Sequence, residues 1–339
     1  MMRLERSPRN PILEANPNRY WESGAVFNCG ATLGPGEAGP TSAIYLLYRA
    51  VPQGYTKSVG RSGYDNYISA IGCAFSEDGE HFERYPNPVL APTEAYERWG
   101  CEDARVTRME IGGRTRYLIT YTALSAPAFS KYGNRVALAI SEDLQAFHKR
   151  GVIIPHLEDK DAVIFPEPIG GRIAILHRVL PNIQILYWDD LEQMLAVGAE
   201  PENSDFWQAY QASLEAHTVM RPVYEWEAHK IGAGPPPIKT EAGWLLITHG
   251  VDADDVYRAG AALLDLENPS RVIARLPYPI LEPSEPYERV GDVPNVVFPV
   301  GAVVREGRLY VYYGGADHCC CLATADLDDL LVDLMAHRV

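Results

Sequence analysis

The sequence predicts an all-β fold, a five-bladed β-propeller, from two repeating features. An apolar run that ends in an aromatic ring or a histidine, followed by a small or basic residue, recurs five times. The ring positions of the five copies are Tyr48, Tyr121, His177, His249 and Tyr313. A further apolar run follows each copy and usually ends in an acidic turn. Because propellers are built by radial repetition of small antiparallel sheets, five copies indicate five blades.

Each repeat is predicted to contain three or four antiparallel strands. The pairs Gly112-Gly113, Gly170-Gly171 and Glu306-Gly307 separate apolar runs and have the composition of hairpin turns. A β-sandwich is the alternative fold, since its turns are equally frequent. A sandwich does not, however, explain five recurrences of one strand ending, which favours the propeller.

Three segments lie outside the regular repeats. Residues 1–20 are expected to form an N-terminal extension, and residues 21–339 a single five-bladed propeller domain. A partly helical insertion is predicted at about 191–216, because this stretch is long for a loop. Four leucines at helical spacing predict a short C-terminal helix: Leu327, Leu330, Leu331 and Leu334.

Composition and charge exclude several classes of partner. The formal net charge of −15 argues against nucleic acids and anionic membranes. No apolar run approaches the roughly 20 residues needed to cross a bilayer, and the polar, arginine-containing N-terminus does not resemble a secretory signal. We therefore expect a cytoplasmic protein. Its six cysteines lack zinc-site spacing and are expected to be buried, reduced thiols.

Two adjacent acids, Glu102 and Asp103, stand where a strand is predicted to begin. Adjacent residues of a regular strand point to opposite faces, so both acids are not expected to face one cleft. If one acid does chemistry, the other is expected to orient or bind. A solvated acidic turn is the simpler interpretation of such a pair, but its position at a repeat boundary favours a site.

Basic and ring side chains are expected at equivalent ends of different blades, where a propeller brings distant residues to its central channel. They are Arg49, Tyr121, His177, Arg178 and His249. Taken singly, each is most simply explained by a salt bridge or by packing; as a set they favour an anion pocket. Aromatic residues in predicted loops could stack on sugar rings, although ordinary packing explains most of them: Tyr20, Trp21, Tyr64, Tyr67 and Trp99.

From about Asn16 to the C-terminus the chain resembles glycoside hydrolase family 130, five-bladed propellers that phosphorolyse or hydrolyse β-mannosides. The resemblance rests on several segments together: residues 26–31, 47–50, 100–107, 165–167 followed by His177-Arg178, 230–237, 260–265 and 296–299. Two departures are visible. Ala104 stands where the family usually has proline, and the 191–216 insertion is longer than usual.

The resemblance implies a role for individual residues. Asp103 matches the catalytic acid, which in this family is thought to pass its proton through a mannose hydroxyl. A phosphate-binding group is implied at Arg150, Lys160, Arg178 and His249. Sugar contacts are expected from Asn28, Arg49, Asp65, Glu102 and Asp292. No metal or cofactor is expected, and inorganic phosphate would be a co-substrate.

These residues lead us to expect an inverting β-mannoside phosphorylase acting on mannobiose, mannosyl-glucose or manno-oligosaccharides to give α-mannose 1-phosphate. A β-mannosidase of the same fold is an alternative, and would need a second carboxylate as base, such as Glu167 or Glu227. A non-catalytic sugar-binding propeller is another. The linkage and the acceptor sugar stay open at this stage, and a homo-oligomer is compatible with the resemblance.

Overall fold

Five antiparallel sheets make up most of the protein, whose computed structural model describes residues 1–36, 39, 42–58, 63–130, 132–155 and 158–339. The first strands in chain order are β1 (Glu5–Arg6), β2 (Ala25–Leu33), β3 (Ile44–Val51), β4 (Thr56–Lys57), β5 (Tyr64–Asp65), β6 (Ala70–Ser76), β7 (Glu83–Arg84), β8 (Cys101–Ile111), β9 (Arg114–Leu124), β10 (Asn134–Ser141), β11 (His148–Ile154) and β12 (Lys160–Ile164). The others are β13 (Ile173–Arg178), β14 (Ile183–Trp188), β15 (Thr218–Met220), β16 (Lys230–Ala233), β17 (Ile238–Thr240), β18 (Gly243–Val251), β19 (Tyr257–Leu264), β20 (Val272–Arg275), β21 (Val297–Arg305), β22 (Arg308–Gly315) and β23 (Cys319–Asp326).

The sheets follow one another along the chain as the blades of a propeller. Blade one is β2-β3-β6-β7, blade two β8-β9-β10-β11, blade three β12-β13-β14-β15 and blade four β16-β18-β19-β20, with β17 also paired to β18. Blade five is β21-β22-β23-β1. The first strands of blades one, two, three and five contact one another around the axis. The five-bladed propeller predicted from the sequence is confirmed.

The N-terminal segment belongs to blade five. Glu5 pairs with Thr324 and Arg6 with Ala323, so β1 is the outer strand of that blade. The side chain of Arg6 also bonds the buried carboxylate of Glu288 at 2.8 Å. A two-residue strand has too short an alternating pattern to be detected, which is why the sequence predicted an extension separate from the propeller.

Hydrophobic cores lie between neighbouring blades. One core joins blades one and two through residues such as Leu47 and Ile119, and a comparable core fills each of the other four junctions. Burial of large apolar side chains between sheets is the main stabilising contribution in such an arrangement. All six cysteines are buried and unpaired, as predicted.

Both helical segments that the sequence predicted are present, and several short helical turns were not predicted. The insertion contains α1 (Leu191–Gly198), α2 (Asp205–Ala212) and a 3-10 turn (Leu214–His217). A short α3 (Pro286–Arg289) precedes blade five, and the C-terminal helix is α4 (Leu327–Met335). Further 3-10 turns precede blades one, two and four: Tyr20–Glu22, Ala95–Glu97 and Glu225–Glu227. Among the described residues, no helix combines the length and apolar character needed to cross a membrane.

The three predicted hairpin turns have the expected backbone. Both residues of each pair have positive φ: 62° and 72° at Gly112-Gly113, 57° and 81° at Gly170-Gly171, and 53° and 76° at Glu306-Gly307. Two successive positive φ values define the turn type that matches the twist of hairpin strands. These turns join the first and second strands of blades two, three and five, and so fix the register of the inner strands.

Candidate active site

The inner strands of blades one, two and three are interrupted at the same register. The preceding pairs are Phe27 with Arg49, Glu102 with Thr122 and Lys160 with Arg178. In each strand the next residue is bulged and has positive φ: Asn28 at 51°, Asp103 at 52° and Asp161 at 57°. A bulge re-aims side chains. Three short polar residues are thereby presented from three blades at one end of the channel.

The bulge at Asp103 changes the directions in which the two adjacent acids point. The expectation that Glu102 and Asp103 face apart holds only for a regular strand, and it is wrong here because the strand is not regular. Arg49 Nη1 lies 3.2 Å from Glu102 Oε1, while Arg49 Nε donates to Asp103 Oδ1 at 2.9 Å. One guanidinium therefore binds both acids.

Asp103 is buried, with 3% of its surface exposed. Its Oδ1 accepts from Arg49 and, at 2.8 Å, from Asn28 Nδ2. Burial by itself would raise the pKa of Asp103, but Arg49 and Arg105 outweigh it and hold that pKa below its usual value. The side-chain hydrogen bonds of Asp103 with the described residues all use Oδ1, which leaves Oδ2 for a ligand.

Asp161 organises a second group of basic side chains. Arg105 donates to its Oδ1 at 2.7 Å, and Arg178 Nη1 lies 2.6 Å from its Oδ2. Burial opposes ionisation of Asp161, yet Arg178 and Arg105 together lower its pKa. Lys160, the preceding residue, reaches the opposite way, and its Nζ lies 3.6 Å from Glu102 Oε2. This contact joins the two groups into one site.

His249 is fully buried beside Arg178. Burial, reinforced by Arg178 and Arg105 against the opposing effect of Asp161, lowers the pKa of His249 to about 3, so the imidazole is neutral. Its Nε2 accepts from Arg178 Nη1 at 3.2 Å, which places the proton on Nδ1. Both His249 Nδ1 and Arg178 Nε are buried, and neither has a hydrogen-bond partner among the residues that the structure describes. Buried donors without acceptors are uncommon, and here they suit an anionic ligand.

Gly232 allows His249 and Asp161 to approach each other. A Cβ at this position would lie 2.3 Å from His249 Cε1 and 2.8 Å from Asp161 Oδ2. Lys230, two residues before Gly232 on β16, is partly buried, and burial together with Arg178 lowers its pKa to about 8. Lys230 therefore adds another cation next to Lys160 and Arg178.

The other wall of the site is aromatic and acidic. Tyr55, Tyr64, Tyr67 and Phe129 form a cluster with ring centroids 5.3 to 6.0 Å apart. The hydroxyl of Tyr55 donates to Asp292 Oδ2 at 2.5 Å, and that of Tyr64 donates to the Asp292 carbonyl at 2.8 Å. Rings beside carboxylates suit a sugar, because its apolar face stacks while its hydroxyls bond the acids.

Comparison with known proteins agrees with this geometry. A family model described as beta-1,4-mannooligosaccharide phosphorylase matches residues 16–337. The chain belongs to glycoside hydrolase family 130. It is 37% identical to a 1,2-beta-oligomannan phosphorylase of Thermoanaerobacter sp. over 97% of this chain and 99% of that protein. It is 38% identical to a beta-1,2-mannobiose phosphorylase of the same organism, over 94% of this chain and 95% of the relative.

A solved structure gives the same result for the fold. The beta-1,2-mannobiose phosphorylase of Listeria innocua, in complex with beta-1,2-mannobiose, superposes with a TM-score of 0.79 at 27% identity, covering 99% of this chain and all of that one. This family 130 member is therefore an enzyme of the β-mannoside phosphorylase type.

Most of the residues singled out from the sequence meet in this family 130 site. Asn28, Arg49, Glu102 and Asp103 form one group, and Lys160, Arg178 and His249 lie in the adjoining one. In the structure, His249 lies one position later in its blade than the ring residues with which the predicted repeat aligned it. Gly232 pairs with His249, and the buried acid Glu227 stands five residues before Gly232, as the equivalent acids do in blades one and two. His249 thus corresponds to Arg49 and Arg178, and not to the ring residues.

Arg150 is not brought to the site. It lies exposed on β11, the outermost strand of blade two, whereas Asp103 lies on the innermost strand. Its side chain lines a separate depression with Tyr96, Leu195 and Glu200. The sequence-based assignment of Arg150 to the phosphate group is not supported, because the width of a blade separates it from Lys160 and Arg178.

Asp65 and Asp292 lie on the aromatic side. Asp65 accepts from Ser58 Oγ at 3.1 Å and follows Tyr64, whose hydroxyl reaches Asp292. The acids considered as a hydrolytic base do not face Asp103. Glu167 lies beyond the far end of β12, about half exposed and paired with Lys239, and Glu227 is fully buried against Arg275.

Four site residues were missed by sequence reasoning: Arg105, Asp161, Lys230 and Asp317. Asp161 could have been found, because it follows Lys160 as Asp103 follows Glu102 in the preceding blade. Asp317 lies on the turn after β22, directly beyond the last repeat that the sequence showed. Burial, and the nearby Asp103 and Glu102, raise the pKa of Asp317 to about 7 although Arg49 opposes the shift.

Replacing Asp317 by asparagine is expected to stabilise the protein at neutral and alkaline pH. A pKa raised from 3.8 to about 7 means that the folded protein retains a proton that the unfolded chain releases, so stability falls as pH rises through this window. Asp317→Asn removes this penalty. We expect its gain in free energy of unfolding to grow by about 2 kcal/mol between pH 5 and pH 8, measured by urea denaturation. An equal gain at both pH values would mean that Asp317 titrates normally.

Proposed function

We propose that this enzyme is an inverting phosphorylase that cleaves β-1,2-linked mannosides with inorganic phosphate and releases α-mannose 1-phosphate. The proposal for the linkage comes from the two relatives that match almost the whole chain, both named for β-1,2 substrates. The proposal for the reaction comes from the residues of the site.

The observation that supports phosphorolysis most directly is that one site contains both an acid with an available carboxylate oxygen and a group of basic side chains. Asp103 Oδ2 is free of described partners. The adjoining group, connected to it through the Lys160–Glu102 contact, contains Lys160, Arg178, Lys230 and neutral His249. Two donors of this group, Arg178 Nε and His249 Nδ1, have no acceptor in the described part of the chain. An inverting hydrolase would need a second carboxylate to activate water, and neither Glu167 nor Glu227 is placed for that role. Phosphate is already a nucleophile and requires only a cationic binding site.

In the proposed reaction, a phosphate oxygen forms a bond to C1 of the mannosyl unit on the face opposite the leaving group. The bond from C1 to the glycosidic oxygen breaks, and that oxygen takes the proton of Asp103, directly or through a mannose hydroxyl. The β-linked substrate gives the α-linked phosphate because the attack inverts C1. Asp103, left ionised, regains a proton from solvent before the next turnover.

Phosphate binding is expected to favour the protonated form of Asp103. In the free site Arg49 and Arg105 lower the pKa of Asp103, which by itself would leave no acid. Bound phosphate places negative charge next to Arg178 and Lys160, and Lys160 also lowers the pKa of Asp103. Neutralising these cations raises that pKa. Phosphate is therefore expected to prepare the acid as well as to supply the nucleophile.

Product analysis with and without phosphate tests the proposal. β-1,2-mannobiose, β-1,4-mannobiose and mannosyl-glucose would each be incubated with the enzyme, and the products separated by ion-exchange chromatography. We expect α-mannose 1-phosphate only when phosphate is present, and fastest from β-1,2-mannobiose. Free mannose produced at one rate in both conditions would identify a β-mannosidase, and faster release from β-1,4-mannobiose would overturn the linkage.

A further inference from the structure

Blades one, two and five each contain one buried acid that binds strands of its own blade in the same manner. The acid comes from the loop before the inner strand, and it binds a tyrosine hydroxyl of the second strand and a basic side chain of the outermost strand. We name this arrangement the blade latch. Its members are Glu22, Tyr48 and Arg84 in blade one, Glu97, Tyr121 and Lys149 in blade two, and Glu288, Tyr313 and Arg6 in blade five.

Blade four has part of the latch, and blade three has a different one. In blade four Glu227 binds Arg275 of the outermost strand at 2.6 Å. In blade three the acid is the shorter Asp159, and the ring is the imidazole of His177. The outermost strand of that blade, β15, contains no basic residue. In this blade Tyr210, on helix α2 of the insertion, takes the place that the basic residue has in the other latches.

The blade-three latch is a continuous chain of buried hydrogen bonds. Asp159 and His177 are both fully buried, and Tyr210 is 4% exposed. His177 Nδ1 donates to Asp159 Oδ2, and His177 Nε2 accepts from the Tyr210 hydroxyl at 2.6 Å. An imidazole can bond at both ends, whereas a phenol offers a single oxygen. The histidine is therefore what allows helix α2 to be connected to Asp159.

The other carboxylate oxygen of Asp159 connects this chain of hydrogen bonds to the active site. Asp159 Oδ1 accepts the backbone N–H of Arg178 at 3.0 Å. Asp159 is also followed directly by Lys160 and by the bulged Asp161, which pairs with the Arg178 side chain at 2.6 Å. One buried carboxylate thus fixes both strands that supply the basic group, at the point where the bulge leaves them without regular ladder bonds.

We propose that Tyr210, His177 and Asp159 are positioning residues for phosphate, and that the insertion acts through them on the affinity for this co-substrate. The inference rests on the proposed function, since it takes Arg178 and Lys160 as phosphate ligands. None of the three touches the reacting atoms. They keep Arg178 and Lys160 in place, as outer partners keep the ligands of other anion and metal sites.

Tyr210→Phe tests the proposal, because it removes one hydroxyl and keeps the ring that packs on Trp207 with centroids 6.1 Å apart. We expect KM for phosphate to rise about three- to tenfold, the range for one lost buried hydrogen bond, with KM for the mannoside unchanged. Tyr121→Phe is the matched control, since it removes a buried hydroxyl bond of 2.7 Å at the same position of blade two. The control is expected to lower Tm without changing KM for phosphate.

The outcomes separate this inference from the proposed function. Equal changes of KM for phosphate in Tyr210→Phe and Tyr121→Phe would overturn the inference, because a general loss of stability would then explain both. Unchanged phosphate KM in Tyr210→Phe would also overturn it, while phosphate-dependent turnover of the wild type would leave the proposed function intact. A wild type that neither requires phosphate nor binds it in titration calorimetry would overturn both.

Discussion

Asp103→Asn is expected to lower kcat for phosphorolysis of an unactivated β-mannoside by about a thousandfold, within the range typical of a general acid. The amide keeps the shape of the carboxyl and an oxygen for Arg49, but it has no acidic proton for the leaving oxygen. Binding of the mannoside, measured by titration calorimetry, is expected to persist. Steady-state product formation with saturating phosphate measures kcat.

Leaving-group chemistry provides the control for the role of Asp103. A nitrophenyl β-mannoside has a leaving group that departs as an anion, so it needs little help from an acid. Asp103→Asn should therefore lose far less activity on this substrate than on mannobiose. An equal loss on both substrates would contradict the acid role and would point to damage of the site. Retention of more than a tenth of wild-type kcat on mannobiose would contradict it as well.

Arg178→Gln is expected to reduce kcat/KM for phosphate by about a hundredfold, since a charge-assisted bond to a buried anion contributes roughly 2–4 kcal/mol. Its guanidinium is held by Asp161 at 2.6 Å, and its Nε bonds none of the described residues. KM for phosphate is obtained at saturating mannoside, and the Tm of the variant shows how much of the effect comes from leaving Asp161 with fewer partners.

Arg150→Gln is the matched control, because it removes the same group from the exposed outer strand of blade two. Its kinetic constants are expected to equal those of the wild type. A rise in KM for phosphate comparable with that of Arg178→Gln would contradict the placement of Arg150 outside the site.

The repeats predicted the architecture because every blade has to bury the same kinds of strands. The recurrence ending at Tyr48, Tyr121, His177 and Tyr313 follows from the latch, in which the ring meets a buried acid. His249 resembles these residues chemically but takes the next position, which the apolar pattern alone could not distinguish. Strand β1 was not predicted, since two residues have no measurable period.

The candidate site was predicted in part, and the rest depended on backbone irregularity. A single bulged residue at Asp103 or Asp161 changes the direction of a side chain without changing hydrophobic spacing, so alternation could not reveal it. Arg178 was marked by the repeat and also by family resemblance, and it lies in the site. Arg150 and Lys160 depended mainly on the resemblance. Lys160 lies in the site, whereas the structure places Arg150 elsewhere.

The pairing of β1 with β23 has a consequence for how the protein is made. The partner of Glu5 is Thr324, so β1 must stay unpaired until β23 has been translated. Blades one to four can assemble in the order of synthesis, because each is continuous in sequence, whereas blade five, and with it the ring, is completed only when β23 is available to pair with β1. The exposed edge of the unfinished blade is open to other chains during that interval.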